Sequence, residues 1–333
     1  MQNRLEAKNI LITGGAGYIG SALTGLLLNN GYNVTVVDNL CFGGDSLLYV
    51  WSHPAFRFIK ADVTSADNMK KIFDVYRFDA VIHLAAIVGD PACAKQPELT
   101  NRTNGDACLE LLDISIKSNV RRFIFASTCS NYGKMQDPDK LVCETFPLAP
   151  ISLYAELKVK FENVLLNELE KNSGFCPTAL RFATVYGVSS RMRFDLTVNE
   201  FTRELALGRE LEVFGEQFWR PYCHVIDLSR AILLVLQSDE EKVAYNVFNV
   251  GDTNENYQKQ MIVNEIKKVI PDAKVKYVHK DEDPRDYRVS FDKIREELGF
   301  NISRNLEYGI VEIKDLIDSN ILPDPDSSKY RNI

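Results

Sequence analysis

Residues 9–20 read Asn-Ile-Leu-Ile-Thr-Gly-Gly-Ala-Gly-Tyr-Ile-Gly, a short apolar run that leads into a glycine-rich turn. Gly14, Gly17 and Gly20 are spaced three apart. The first permits a tight turn, the second lets the backbone approach a pyrophosphate, and the third allows a helix to pack on the strand. The helix predicted over Ser21–Leu28 then points its N-terminal amides at the phosphates. The stretch predicts a strand, turn and helix that bind a dinucleotide.

An acidic residue after the second strand indicates which dinucleotide binds. Asp38 follows the strand predicted over Asn33–Val37 and stands 18 residues after Gly20. A carboxylate at this place accepts the adenosine ribose hydroxyls and repels a 2′-phosphate. The next residues, Asn39-Leu40-Cys41, include no cation that would reverse this preference. The predicted cofactor is therefore NAD.

Working outward, β-branched runs alternate with helical patterns through the first half of the chain, which is typical of βαβ units and a parallel sheet. A long helix is predicted over Ser152–Lys171, before the last of these strands. The fold class predicted is α/β, a Rossmann-type doubly wound parallel sheet. The predicted strands are Asn9–Thr13, Asn33–Val37, Arg57–Lys60, Ala80–Leu84, Arg122–Ala126 and Pro177–Phe182.

The pattern loosens after the last strand, which predicts a smaller C-terminal α/β lobe for the substrate. The predicted domains are residues 1–182 for NAD, residues 183–322 for the substrate, interleaved with the sheet, and a tail over 323–333. The Pro/Asp/Ser-rich stretch Leu322–Ile333 is predicted to fray. The elements predicted in this lobe are helices at Leu196–Leu207, Asp227–Gln237, Phe291–Leu298 and Leu306–Ser319 and a strand at Tyr245–Val250.

Composition excludes several classes of function. The 333 residues carry a net charge of −7, which repels nucleic acid and anionic membranes. No apolar run approaches the ~20 residues of a membrane span, and the N-terminus lacks the apolar region of a signal peptide. The seven cysteines are scattered singly, without metal-ligand spacing, and are predicted to be free thiols in a cytoplasmic protein. No metal, nucleic-acid or membrane partner is predicted.

Other strand ends fit the same cleft, because a ligand lies over the carboxyl ends of parallel strands. His83 is interpreted as a buried core histidine rather than a catalyst. The cofactor-binding residues predicted from the turn and the strand ends are Gly14, Gly17, Tyr18, Ile19, Gly20, Asp38, Asn39, Leu40, Asp62, Val63, Leu84, Ala85 and Ala86.

Three polar residues predict a reaction centre. Tyr154 and Lys158 are four apart at the start of the long helix, so the phenol and the ammonium share one face. A nearby ammonium and the nicotinamide cation would lower the pKa of the phenol and make it a proton acceptor and donor. Thr128 follows the fifth strand, from which its hydroxyl converges with the phenol on one substrate oxygen. Thr128, Tyr154 and Lys158 are the predicted catalytic residues.

Over residues 8–310 the chain resembles the extended short-chain dehydrogenase/reductase superfamily, in its nucleotide-sugar epimerase and dehydratase branch. In that branch the position of Thr128 hydrogen-bonds the sugar hydroxyl, that of Tyr154 exchanges its proton, and that of Lys158 orients the nicotinamide ribose while hydride passes at sugar C4. The resemblance is carried by residues 13–20, 37–40, 62–63, 83–86, 127–128, 132–133, 154 and 158.

The resemblance also implies residues for cofactor, substrate and partner. Asn101 corresponds to a position that touches the cofactor. Helices over Asp106–Lys117 and Ser152–Lys171 correspond to a homodimer seam, although both faces could instead pack internally. The stretches 88–93 and 189–196 are similar to bacterial surface-polysaccharide enzymes, including nucleotide-heptose 4-dehydrogenases. The residues implied to bind a nucleotide sugar are Val88, Thr128, Thr184, Arg193, Asn199, Arg220, Arg285 and Arg288.

Two departures from the family pattern refine the activity. Dehydratases of this branch have an Asp-Glu pair after the Thr128 position, where this chain has Cys129-Ser130. Those side chains do not readily protonate a departing hydroxyl, which argues against 4,6-dehydration. Thr184 replaces the asparagine of UDP-galactose epimerases. The predicted function is an NAD-dependent nucleotide-sugar 4-epimerase of surface polysaccharide synthesis; a 4-dehydrogenase/reductase and, remotely, a non-catalytic NAD-sensing module remain as alternatives.

Overall fold

The computed structural model describes residues 8–135, 137, 140–167, 174–280 and 285–332. Within these ranges the strands are β1 (Asn9–Thr13), β2 (Asn33–Asp38), β3 (Phe56–Lys60), β4 (Ala80–His83), β5 (Arg122–Thr128), β6 (Cys176–Phe182), β7 (Thr184–Tyr186), β8 (Leu211–Phe214), β9 (Trp219–His224), β10 (Asn246–Val250), β11 (Asn256–Gln258) and β12 (Val275–Val278).

The helices alternate with the strands through the first half. One π-helical turn, Arg102–Asp106, lies between two of them, and short 3₁₀ turns cover Asp45–Val50, Cys129–Tyr132 and Ser328–Tyr330. The described α-helices are α1 (Tyr18–Asn29), α2 (Ala66–Val75), α3 (Asp90–Lys95), α4 (Pro97–Asn101), α5 (Ala107–Lys117), α6 (Leu153–Leu165), α7 (Thr197–Ala206), α8 (Val225–Gln237), α9 (Glu240–Val243), α10 (Lys259–Val269), α11 (Asp292–Leu298) and α12 (Leu306–Asp318).

A seven-stranded sheet in the order β10-β6-β5-β4-β1-β2-β3 forms the centre, and every pair in it is parallel. The chain winds outward in one direction from β1 to β3 and in the other from β4 onward. The crevice where the direction reverses is where open α/β sheets bind ligands. The predicted doubly wound Rossmann-type fold is confirmed, and the strand predicted in the substrate segment joins this sheet as β10.

Both faces of the sheet are covered, which explains why its strands are nearly continuous apolar runs. On one face α1 and α8 pack their leucines and isoleucines, such as Leu27 and Ile232, against Ile10 and Ile12. On the other face α2, α5 and α6 pack around Phe123 and Phe161. A rigid sheet whose strands are buried on both sides fixes the positions of the loops at its carboxyl edge.

Two smaller sheets lie outside the seven-stranded one, a three-stranded sheet, β11-β9-β7, and a two-stranded pair, β12-β8. A further core cluster beside them includes Phe194, Val213, Ile262 and Ile310. These strands were not predicted from the sequence because four of them have only three or four residues, and because Pro221 within β9 argues against a strand. The helices α7, α8, α11 and α12 lie where they were predicted, to within two residues at each end.

Two predictions, the end of the long helix and the frayed tail, differ from the structure. The long helix predicted to reach Lys171 ends at Leu165, and residues 168–173 lie outside the described residues. The prediction of a frayed tail is wrong for residues 322–332: Tyr330 is 8% exposed and its ring lies 5.6 Å from that of Phe194. Composition suggested a solvated tail, but Tyr330 packs on Phe194 and Asp326 pairs with Arg209.

Candidate active site

A cavity of about 530 Å³ lies at the carboxyl edge of β1, β2, β4, β5 and β6, a size typical of small-ligand sites. It is hereafter called the cleft. Most of the predicted site residues meet there. Those that line it are Gly14, Gly17, Tyr18, Ile19, Gly20, Asp38, Asn39, Asp62, Val63, Leu84, Ala85, Ala86, Val88, Thr128, Tyr154, Lys158 and Arg193.

The glycine turn is so tight that side chains cannot be added to it. Gly14 has φ +76°, and a Cβ on it would lie 2.7 Å from the backbone nitrogen of Ala85. A Cβ on Gly20 would lie 2.2 Å from the carbonyl oxygen of Gly14. Near Gly17, by contrast, the closest atom would be that same oxygen at 3.2 Å. The backbone at the start of α1 is thus bare toward the cleft, which fits a pyrophosphate.

Asp38 stands at the end of β2 with both oxygens engaged by backbone amides. Its Oδ2 accepts from Ala16 N at 3.0 Å and its Oδ1 from Leu40 N at 2.8 Å. Burial raises its pKa, and these two amides oppose the rise. Leu40 was predicted to bind the cofactor, but it does not line the cleft, because its side chain packs on the core of the sheet.

Asp62 and Asn39 form the next part of the wall. The Asn39 amide donates to Asp62 Oδ2 at 2.9 Å, and Thr64 donates to Oδ1 through both its backbone and its hydroxyl. Burial alone would raise the pKa of Asp62, but the hydrogen bonds from Asn39 and Thr64 outweigh it and lower the pKa. The result is a fixed, ionised acceptor beside the cleft.

His83 is a core residue, as predicted. It is 1% exposed, and its ring nitrogens contact Thr13 Oγ1 at 2.7 Å and Cys108 Sγ at 3.1 Å. Burial lowers its pKa to about 3, so the ring is neutral. Its role is to join β1, β4 and α5 behind the cleft.

The three predicted catalytic residues share the cleft. Thr128 ends β5, and its Oγ1 accepts from Ser130 N at 3.1 Å. The Lys158 ammonium donates to Ala126 O at 2.7 Å and lies 5.8 Å from the centre of the Tyr154 ring. Burial lowers the pKa of Lys158 to about 8. Strand β5 and helix α6 therefore bring together the Thr128 hydroxyl, the Tyr154 phenol and the Lys158 ammonium, whose pKa is lowered.

The environment of the Tyr154 phenol raises its pKa. Burial is the largest cause, and Cys93, Asp90 and Tyr287 raise it further, while Arg193 opposes them. The positive charge of a bound nicotinamide ring would act in the opposite direction and lower this pKa.

The positions after Thr128 bear on dehydration. Cys129 is 1% exposed and turned into the core, where its thiol donates to Arg181 O at 3.2 Å. Ser130 Oγ lies 3.4 Å from the phenol oxygen of Tyr287. Neither position offers a carboxylic acid. Tyr287 is 2% exposed and contributes to the raised pKa of Tyr154. It was not predicted from the sequence, in which only the arginines beside it stood out.

A buried ion pair supports the reaction centre from behind. Arg181 on β6 forms a multiply hydrogen-bonded pair with Glu162 on α6, and both are less than 6% exposed. Ser127 donates to Glu162 Oε2 at 2.8 Å. Ser127 precedes Thr128, and Glu162 follows Lys158 by one turn of helix. The hydrogen bond between Ser127 and Glu162 therefore fixes β5 against α6.

Asn101 is not brought to the cleft. It is exposed at the end of α4, where its amide donates to Pro97 O at 2.9 Å. The π-helical turn after it shifts the register, so that Asn104 is the buried asparagine instead, bonded to both the N–H and the carbonyl of Ile87. Such turns frequently occur at functional sites, and they leave no simple signature in a sequence.

Two further residues implied to bind substrate also lie outside the cleft. Asn199 is fully buried, and its amide is used within the protein by Gly187 N, Tyr18 Oη and Arg193 O. It fixes the loop that carries Arg193. Thr184 does not line the cleft, whereas its neighbours Ala183 and Val185 do.

The remaining three arginines surround Tyr287 rather than line the cleft. Arg285 pairs with Asp90 at 2.8 Å, across from α3. The Arg220 guanidinium lies 5.3 Å from the centre of the Tyr287 ring, and that of Arg288 lies 4.6 Å from the centre of the Trp219 ring. The segments that carry these arginines therefore contact neighbouring segments. None of the three guanidinium groups reaches the cleft wall.

The described residues include neither a metal-binding cluster nor a helix that could span a membrane. Those residues include no group of three or more His, Cys, Asp or Glu side chains that could hold a metal ion. None of their helices combines the length and the apolar character that crossing a membrane requires. All seven cysteines are free thiols, as predicted.

The chain is similar to known proteins over most of its length. The model of the NAD dependent epimerase/dehydratase family matches residues 10–251. A putative UDP-arabinose 4-epimerase of Arabidopsis thaliana is 30% identical over 324 residues, which cover 88% of this chain and 75% of that protein. Two other relatives are longer, and the matched stretch spans only 39% and 44% of their lengths.

Solved structures are similar over nearly the whole chain. A UDP-glucose 4-epimerase from Thermotoga maritima, solved with UDP-glucose, superposes with a TM-score of 0.82 at 30% identity, covering 94% of this chain and 99% of that one. A UDP-glucose 4-epimerase from Thermus thermophilus, solved with NAD, has a TM-score of 0.81 at 25% identity and covers 94% of this chain and 100% of that one.

Proposed function

This chain belongs to the NAD-dependent epimerase/dehydratase family, and from that premise we propose that it inverts C4 of a nucleotide sugar through a 4-keto intermediate. It is an NAD-dependent enzyme of the short-chain dehydrogenase/reductase type. The observation that carries the proposal is that Thr128, Tyr154 and Lys158 line one cleft together with the glycine turn and Asp38. The relatives named as 4-epimerases support it.

NAD, when bound, supplies a hydride acceptor and a positive charge at the nicotinamide ring. The glycine turn and Asp38 would hold its pyrophosphate and adenosine ribose. Tyr154 would take the proton of the sugar C4 hydroxyl, and Thr128 would hydrogen-bond the same oxygen. Lys158 would hold the nicotinamide ribose and keep a positive charge beside the phenol. Return of hydride to the opposite face of C4, and of the proton from Tyr154 to the C4 oxygen, would give the inverted sugar.

The surroundings of Thr128 support epimerisation over 4,6-dehydration. Removing water from the sugar needs a group that protonates the departing hydroxyl. Cys129 points into the core, and burial raises the pKa of its thiol. Ser130 faces Tyr287, whose pKa burial raises to about 12. Neither side chain at these two positions is a competent acid at neutral pH.

We also propose an oligomeric state and a cellular location. A homodimer would form through α5 and α6, where Leu109 and Val164 are 45% and 48% exposed. The free thiols suit a reducing cytoplasm, where nucleotide sugars for surface polysaccharides would be made. Light scattering would report the oligomeric state, and a monomer in solution would contradict the dimer.

The experiment is to denature freshly purified protein, identify the released cofactor by mass spectrometry, and offer native enzyme UDP-, GDP-, CDP- and dTDP-sugars. We expect NAD(H) to be released and one sugar to be inverted at C4 without net change in the cofactor. Accumulation of NADH with a 4-keto sugar would replace the epimerase with a 4-dehydrogenase. Absence of both cofactor and turnover would overturn the proposal.

A further inference from the structure

Three polar atoms next to the cleft have no hydrogen-bond partner among the described residues. They are Nε of Arg191, Nε of Arg331 and Oδ1 of Asn332, each shielded from solvent. Arg191 is 6% exposed, and Arg191 and Asn332 both line the cleft beside Phe42 and Gly43. Buried polar groups are nearly always hydrogen-bonded, so such a group on a cavity wall indicates a ligand that completes it.

The contacts of the Arg191 side chain position it to bind an anion. Its Nη2 donates to Arg331 O at 3.0 Å, and its guanidinium lies 4.3 Å from the centre of the Phe42 ring. Within the described part of the chain it forms no ion pair with a carboxylate. Burial, with Arg193 nearby, lowers its pKa to about 10, so it remains a cation at neutral pH. A buried cation without a partner anion is costly, and a bound anion would remove that cost.

The end of the chain is fixed beside this arginine. Tyr330 packs on Phe194, and its carbonyl accepts from Phe194 N at 2.8 Å. Asn332 N donates to Asp195 Oδ2 at 3.2 Å. We refer to residues 330–332 as the strap. The strap therefore forms part of the cleft wall, and the Asn332 side chain contributes to the cleft lining.

The position of Arg191 indicates which chemical group of a ligand it would bind. The loop that carries it is tied to the start of α1, because the Ser189 hydroxyl donates to Tyr18 O at 2.6 Å. The start of α1 is where the glycine turn exposes its amides, and Asp38 lines the adjoining wall. Helix amides and a guanidinium together suit a diphosphate, and an amide side chain suits ribose hydroxyls.

We propose that Arg191 and the strap bind the adenosine diphosphate half of NAD, the guanidinium at the diphosphate and the Asn332 amide at the ribose. The strap then holds the cofactor in place, so NAD remains bound through purification and through each catalytic cycle. This inference rests on NAD binding and not on which sugar reaction follows, so binding measured without sugar tests it separately from the proposed activity.

The first test is Arg191→Met, which keeps the length of the side chain and removes its charge. NAD is added to the folded, NAD-free protein, and its affinity is measured by calorimetry. We expect affinity to fall roughly 10- to 100-fold, the effect of losing charge-assisted hydrogen bonds. Arg209→Met is the matched control, because Arg209 binds Asp326 in the same tail, outside the cleft lining. The control should bind NAD as the parent does.

The second test is a chain that ends after Tyr330, which keeps the docked ring and removes Arg331 and Asn332. Dissociation of NAD, followed by transfer to a scavenging enzyme, should be at least tenfold faster than from the parent. Melting temperatures of the NAD-free proteins verify that each variant is folded. Parent-like affinity in folded Arg191→Met together with parent-like dissociation from the shortened chain would overturn the inference.

Discussion

The two sides of the cleft are built differently. On the cofactor side, Gly14 and Gly20 approach other backbone atoms so closely that only glycine fits, and they follow a strand whose residues Ile10–Ile12 are fully buried. On the other side, which we propose receives the substrate and call the substrate side, loops are held by side chains, such as the partly exposed pair of Asp90 and Arg285. Backbone geometry on a rigid sheet fixes the first side, while contacts between distant side chains fix the second.

Two tyrosines, Tyr154 on the wall of the cleft and the buried Tyr287, allow this difference to be tested most sharply. Tyr154 stands on helix α6 beside Lys158, whereas Tyr287 is held by the loops and contacts Ser130. Tyr154→Phe should lower kcat by roughly 10³-fold, because a positioned acid–base group contributes about that much. Tyr287→Phe should change kcat less than tenfold and act mainly on KM. Single-turnover reduction of bound NAD by the sugar measures both.

The control for both tyrosine variants is the NAD content of the purified protein, which neither substitution should change. Equal losses of kcat in the two variants would contradict the comparison. In that case the substrate side would take part in the proton transfer itself.

The next largest effect concerns the buried Lys158 on the cofactor side. Its pKa is about 8 in the folded protein and 10.5 in the unfolded chain. Below pH 8 both forms bind the proton, so the cost of burying the charge is fully present. Between pH 8 and 10.5 the unfolded chain retains a proton that the folded protein has lost, so stability rises with pH.

Lys158→Met should abolish that rise. The free energy of unfolding of the variant relative to the parent should fall by roughly 3 kcal/mol from pH 7.5 to 10.5, at about 1.36 kcal/mol per pKa unit. Urea unfolding of NAD-free protein across this range measures it. Lys160→Met, exposed on the same helix, is the matched control. A constant difference between Lys158→Met and the parent would show that the ammonium is not buried as described.

The same contrast explains what could be predicted from the sequence. All seven strands of the sheet, the glycine turn and Asp38 were located because buried parallel strands and βα turns have local patterns. Thr128, Tyr154 and Lys158 were found because two of them share one helical face and the third ends a strand. Asp38 and these three residues all line the cleft, as expected for the carboxyl edge of a parallel sheet.

Residues whose place depends on long-range packing could not be predicted in this way. Asn101 is exposed, whereas Asn104, inside the π-helical turn, is buried and bonded to the backbone of Ile87. Tyr287 and Arg191 reach the site through loops that no periodic pattern describes. The docking of the tail depends on Tyr330 meeting Phe194, which is 136 residues away along the chain. Such contacts belong to the tertiary structure and leave no local signal.

A smaller effect is expected where the cofactor side depends on its backbone. Gly20→Ala places a Cβ 2.2 Å from Gly14 O and 2.6 Å from Gly15 Cα, so the backbone must move. We expect a loss of stability of roughly 1–3 kcal/mol, the cost of overpacking, together with loss of NAD. Gly44→Ala is the control, since its Cβ would contact only the Leu40 side chain at 3.4 Å. Thermal unfolding and NAD content measure both, and equal effects would refute the explanation.

The smallest effect should come from the ion pair on the substrate side. The side chains of Asp90 and Arg285 are 30% and 41% exposed, so water and salt screen their attraction. A double-mutant cycle with Asp90→Asn and Arg285→Met should give a coupling energy below about 1 kcal/mol, decreasing with added salt. Urea unfolding at two salt concentrations measures it. A coupling above about 2 kcal/mol that salt does not change would mean that the substrate loops are held as firmly as the glycine turn. The contrast between the two sides would then have to be sought in sequence pattern alone, and not in rigidity.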